Sequence, residues 1–116
     1  MIHIVLDCRD PQSLAEFWAF ALGYRVAVAE GVFVVLVPYE RGSGPPFLLQ
    51  RVAEPKAAKN RMHVDIPADD LEATAQDLVH HGAVRLTAEP IEELGTRWIT
   101  MADPEGNEFD VVHRGG

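Results

Sequence analysis

The sequence predicts an α+β protein built from two similar halves, each running strand–helix–strand–strand–strand. Three observations predict it. Apolar residues alternate with a period of two in several short runs, the mark of half-buried strands. Two longer stretches, "DPQSLAEFWAFALGY" and "DDLEATAQDLVHHG", carry apolar residues at helical spacing instead. The order of patterns that starts at residue 2 starts again at residue 61.

In the first half, "IHIVLDC" (2–8) alternates, with Ile4, Leu6 and Cys8 on one face and His3, Val5 and Asp7 on the other. Asp10 is a suitable helix N-cap, and Pro11 suits the first helical position, where its missing N–H costs nothing. Leu14, Phe17, Trp18, Phe20 or Ala21, and Leu22 form the apolar stripe, and Gly23 supplies the left-handed residue that ends the helix. "RVAVAEGVFVVLVPYE" reads as two strands folded at Glu30-Gly31. "RGSGPP" is a loop, "FLLQRV" a strand and "AEPKAAKN" a polar connection. In the second half, "RMHVDI" puts Met62, Val64 and Ile66 on one face and Arg61, His63 and Asp65 on the other. The second helix is capped by Asp69 or Asp70 and closed by Gly82. "AVRLT", "TRWITMA" and "NEFDVVH" are strands, and Asp103-Pro104-Glu105-Gly106-Asn107 is a tight turn between the last two. The expected modules are 1–55 and 61–114 of a single domain. Each helix has one apolar face, so both are expected to cover the outside of a sheet.

Composition narrows the function classes. A chain of 116 residues, 47% of them apolar, has the size and hydrophobicity of one ordered domain. No apolar run is long enough to span a bilayer and no signal peptide is visible, so no membrane partner is expected. A lone cysteine, Cys8, excludes an internal disulfide framework and fits a reducing, cytoplasmic compartment. The formal charge of −8 argues against nucleic acid, whose readers need a basic footprint, and is compatible with a cationic ligand.

The repeat is positional. His3 and His63 lie 60 residues apart, as do Asp10 and Asp70 at the helix starts, and Gln50 and Asp110 near the ends of the halves. On these motifs the chain resembles the vicinal oxygen chelate superfamily, the glyoxalase, bleomycin-resistance and extradiol dioxygenase group. The likeness rests on "HIVLDCRDPQSLAEFWAFALGY", on "HVDIPADDLEATAQDLVHHGA" and on the closing "WITMADPEGNEFDVV". It implies two βαβββ modules curled into a cleft, with helices outside and a homodimer as the usual assembly. It also implies four ligand positions for a divalent metal (Zn, Ni, Co, Mn or Fe): His3, Gln50, His63 and Asp110. His3, His63 and Asp110 each oppose the apolar set of their own strand, which agrees in direction. Two imidazoles, a carboxylate and an amide oxygen suit such an ion. Most metal-dependent members of the superfamily carry Glu where this chain has Asp110. A His-Gln-His-acidic set is similar to that of methylmalonyl-CoA epimerase. Without Gln50, the remainder resembles the two-His, one-carboxylate site of the dioxygenases.

Glu108 shares a face with Asp110 and is a candidate base, Trp98 a candidate wall of a small-molecule site, and Arg61, with Lys56 and Lys59, a candidate contact for an anionic substrate. His80 and His81 fit the negative end of the second helix dipole, while Trp18 and Cys8 read as core. Two functional classes follow. One is a metal-dependent lyase or isomerase that chelates a small substrate and stabilises an enolate. The other is a metal-free trap for a cationic aromatic ligand, similar to the bleomycin-resistance proteins.

Overall fold

The computed structural model describes residues 2–115. It divides into two compact units, 1–56 and 57–116. None of the described helices is long and apolar enough to cross a membrane.

The first unit contains β1 (Ile4–Cys8), α1 (Pro11–Leu22), β2 (Tyr24–Glu30), β3 (Phe33–Pro38) and β4 (Phe47–Arg51). Its sheet runs β1-β4-β3-β2, with β1 parallel to β4 and the other pairs antiparallel. Asp10 caps α1, its Oδ1 accepting the Ser13 N–H at 3.2 Å, and Gly23 closes the helix at φ +68°. The helix covers one face of the sheet with Leu14, Phe17 and Trp18, which meet Val34, Leu36, Phe47 and Leu49. The Trp18 ring lies 5.2 Å from that of Phe47 and edge-on to Phe17 at 5.4 Å. β1 begins two residues later than the alternation predicts. Ile4 donates to the Pro46 carbonyl, and Pro45 and Pro46 have no N–H to extend the ladder towards Ile2 and His3.

The second unit contains β5 (Asp65–Pro67), α2 (Leu71–His80), β6 (Val84–Arg85), β7 (Ile91–Glu93), β8 (Thr96–Ala102) and β9 (Glu108–Arg114). The sheet runs β5-β9-β8-β6, with β7 also paired to β8. Asp70, not Asp69, caps α2 through the Ala73 N–H at 3.1 Å. Leu71, Ala75 and Leu78 bury against Ile99, Met101, Phe109 and Val111.

Three elements of the second unit also depart from the sequence pattern. β7 was not expected; it forms a hairpin with β8 across a two-residue loop, Leu94-Gly95, both residues at positive φ. The expected strand over 83–87 shrinks to two residues. Beyond Leu86, Arg85 donates to the Thr87 and Ala88 carbonyls and the Thr87 hydroxyl accepts the Thr100 N–H, so side chains replace the ladder. The expected strand over 61–66 is reduced to 65–67, and Met62, read as inward-facing, is 85% exposed. The approach to β5 is held by Asn60 instead. Its N–H donates to Glu108 Oε1 at 2.9 Å, and its side-chain oxygen accepts the Glu108 N–H at 3.3 Å.

Candidate metal centre

The DPEGN turn aims β9. Asp103 is 1% exposed, and its Oδ1 accepts N–H groups from Glu105 and Asn107, both at 2.9 Å, as well as the Asn107 side-chain amide. Asn107 then accepts from the Asn60 amide at 3.4 Å. Buried donors and acceptors are thereby satisfied within the turn, which fixes where β9 starts. From there the strand period decides direction. Phe109 and Val111 are fully buried beneath α2, so Glu108 and Asp110 point to the opposite face.

Asp110 faces Asp65 on β5 and Thr100 on β8 in the register of the sheet. His63 stands two residues before Asp65, and the Asp110 N–H donates to the Val64 carbonyl between them. The result is convergence on one imidazole nitrogen: His63 Nε2 lies 3.2 Å from Asp110 Oδ2 and 3.4 Å from Asp65 Oδ1. The second oxygen of each carboxylate is held from outside. The Thr100 hydroxyl donates to Asp110 Oδ1 at 2.8 Å, and Arg114 Nη2 donates to Asp65 Oδ2 at 3.1 Å.

The donor chemistry fits a divalent cation. One imidazole nitrogen and two carboxylate oxygens lie within 4.8 Å of one another. Neighbouring ligands of one ion, each about 2.1 Å from it, sit roughly 3.0–3.4 Å apart, as the two His63 distances do. A single N–H cannot serve two carboxylates equally well, whereas one cation can.

The other sequence-derived residues fall as follows. Trp98 is partly exposed and shares the Asp110 face, opposite Val112. Arg61 is exposed, two residues before His63. Glu108 is on the expected face, but its Oε1 is occupied by the Asn60 N–H. His3 and Gln50 belong to the first unit. His3 is exposed ahead of β1, and Gln50 is partly buried on β4 opposite Asp7 and Phe33. The register adds something the spacing of 60 hides. In β1–β4 each residue faces the one 43 further on, as Val5 faces Leu48; in β5–β9 the separation is 45, as Asp65 faces Asp110. The partner of Gln50 is therefore Asp7, not the Val5 that stands sixty residues before Asp65. Trp18 and Cys8 are core, as read from the sequence. His80 and His81 hydrogen-bond along the end of α2, to Gln76 and to the Asp77 carbonyl. Sequence reasoning passed over Asp65 as a ligand, although the pattern had placed it on the His63 face. Thr100 and Arg114 carried no sequence signal.

Two helix-backed sheets, each with its first strand parallel to its last, define a fold of glyoxalase type. The chain belongs to the glyoxalase-like domain family, whose model matches residues 3–112, and so to the vicinal oxygen chelate superfamily. None of the proteins of curated function matches it. A glyoxalase/bleomycin resistance protein/dioxygenase family enzyme from Burkholderia phytofirmans superposes with TM-score 0.79 at 14% identity, covering 97% of this chain and 96% of its own. A genomically encoded fosfomycin resistance protein, FosX, from Listeria monocytogenes gives 0.77 at 11%, covering 97% and 91%. A glyoxalase family protein from Bacillus cereus gives 0.73 at 15%, covering 100% and 94%.

Proposed function

We propose that this protein is a divalent-metal-dependent, glyoxalase-like lyase or isomerase acting on a small molecule that offers two oxygens for chelation. The observation that carries the reading is the convergence of His63 Nε2 and Asp110 Oδ2 at 3.2 Å, at positions the sequence had singled out. His63 and Asp110 would hold the ion. When bound, the ion supplies Lewis-acid polarisation of the substrate oxygens. Thr100 fixes the rotamer of Asp110 by its hydrogen bond, a task that outer hydrogen bonds commonly perform for metal-binding carboxylates. Trp98 would offer a flat apolar surface to the substrate, and Arg61 a positive charge to an anionic one. Glu108 is the candidate for moving a proton. A homodimer belongs to the same reading, supported by the exposed apolar side chains of edge strand β2, Val26 and Val28.

A second reading keeps support from one observation. Two carboxylates, Asp65 and Asp110, stand side by side on the face that carries Trp98, in a chain of charge −8. That combination suits a cationic aromatic ligand without any metal. Metal analysis and calorimetric titration of tag-free protein with Mn²⁺, Zn²⁺ and Ni²⁺ separate the two. The enzyme reading expects near-stoichiometric binding of one of these ions and its loss in His63→Ala. If none of the three ions binds at neutral pH while bleomycin does, the trap replaces it.

A further inference from the structure

We infer that Asp65 is itself a metal ligand, so that the second module holds its cation through a His63–Asp65–Asp110 set contributed by a single sheet edge. The inference rests on the metal-binding reading above and adds to it a ligand, and a charge, that the four-residue pattern lacks. Three facts of geometry carry it. The Asp65 oxygen nearest His63 is almost as close as that of Asp110, 3.4 Å against 3.2 Å. Both carboxylates present one oxygen inwards and have the other held by a donor outside the triad, Arg114 for Asp65 and Thr100 for Asp110. Asp65 and Asp110 are also direct partners in a parallel strand pair, so the backbone fixes their spacing before any ion arrives.

The consequence is chemical. Two anionic oxygens and one imidazole make a harder donor set than two imidazoles with one carboxylate. Such a set moves the preference towards oxygen-loving ions, Mn²⁺ or Fe²⁺, relative to a nitrogen-richer site. It also neutralises the ion's charge completely, where the four-residue pattern leaves a net positive charge. In the first module the residue sixty before Asp65 is Val5, and it faces Leu48, which offers no donor; the next pair on that face is Asp7 and Gln50.

The test is Mn²⁺ affinity, followed by electron paramagnetic resonance of the free ion at 0.15 M salt, on tag-free wild type and four variants. Asp65→Asn should weaken binding at least tenfold and Asp65→Glu should recover part of that loss. Asp69→Asn, which removes an equal but exposed charge four residues away, should stay within twofold. His63→Ala should abolish binding. If wild type binds and Asp65→Asn stays within twofold of it, Asp65 is only the ion-pair partner of Arg114 and the inference falls alone. Equal losses in Asp65→Asn and Asp69→Asn would reduce it to a general charge effect and also overturn it. If wild type binds no Mn²⁺, Zn²⁺ or Ni²⁺, the metal reading falls and takes this inference with it. Circular dichroism of each variant separates a lost ligand from a lost fold, and should Asp65→Asn unfold, Asp65→Glu decides by the same limits.

Discussion

The two modules follow one plan and bury their helices in the same way, yet the polar residues on the open faces of their sheets are grouped differently: Asp7 pairs with Gln50 in the first, and Asp110 stands between Asp65 and Thr100 in the second. Where β5, β8 and β9 present Asp65, Thr100 and Asp110, the register of β1, β3 and β4 presents Val5, Val35 and Leu48. A two-residue change in strand register, from 43 to 45, is enough to decouple the faces while the order of elements stays the same. Because the side-chain period is two, that shift keeps every residue on its face and changes only its neighbours. Duplicated strand order therefore preserves the core and leaves the open face of each sheet to diverge.

The cores can be separated first, with the largest effect. Trp18 of α1 is 1% exposed among Phe17 and Phe47, while Leu78, sixty residues on, fills the same place in α2 at 2%. Truncating Trp18 to Ala should cost about 4 kcal/mol and Leu78→Ala about 3 kcal/mol, read from urea denaturation midpoints. Equal or reversed losses would mean that the first module's aromatic core relaxes around the cavity and is not the tighter of the two.

The loops entering the last strands differ next. The second module fastens its DPEGN turn with the buried Asp103 carboxylate, whereas the first fastens 39–46 with two hydroxyls, Tyr24 to the Pro45 carbonyl at 2.9 Å and Ser43 to the Glu40 carbonyl at 2.8 Å. Asp103→Ala leaves several buried donors without a partner and should cost roughly 3 kcal/mol, against about 1 kcal/mol for Tyr24→Phe. Asp103→Ala should also reduce metal affinity, because β9 would lose the start that aims Asp110.

The hairpins are contrasted by a smaller, stabilising change. The first module turns between β2 and β3 at Gly31-Val32 with Gly31 at φ +62°, a fold that glycine favours. The second turns at Leu94-Gly95, with Leu94 at φ +50° and 98% exposed. A left-handed leucine is strained, and its side chain buries nothing in return. Leu94→Asn should raise stability by roughly 0.5–1 kcal/mol, measured as a rise in Tm. No gain would show that Leu94 makes a contact in solution that offsets its strain.

The smallest effect concerns pH. Arg85 holds the Glu72 carboxyl below its ordinary range, chiefly by hydrogen bonding to it. A lowered folded-state pKa stabilises the fold above the ordinary glutamate range and loses that contribution as pH falls through the carboxylate range. Both groups are at the surface, so Arg85→Ala should flatten the acid limb of the Tm–pH profile only slightly, and less at high salt. A profile that steepens would reverse the sign of the pair.

Much of this architecture was legible residue by residue. Asp10 and Asp70 announced two helix starts, alternation announced most strands, and TRWITMA gave β8 end to end, because periodicity and capping are local chemistry. His63 and Asp110 were legible as a pair by spacing and resemblance. β7 was not, since Ile91–Glu93 carries no alternation and forms only because β8 offers an edge. Nor was the shortening of β5, which depends on Asn60 reaching Glu108 across 48 residues of chain.

By itself the sequence determined what local rules determine: the order of elements, which face of each is apolar, the helix caps, and the face on which His63, Asp65, Glu108 and Asp110 stand. Tertiary structure alone decided the register of β5 on β9, and with it that Asp65 meets Asp110 while Val5 meets Leu48. It also decided that Thr100 and Arg114 hold the outer oxygens and that Asn60 takes one oxygen of Glu108. The physical reason is that side-chain direction follows from a period of two within one strand, whereas a neighbour across the sheet depends on how two strands distant in sequence slide against each other. That slide is set by turns, prolines and packing elsewhere in the module.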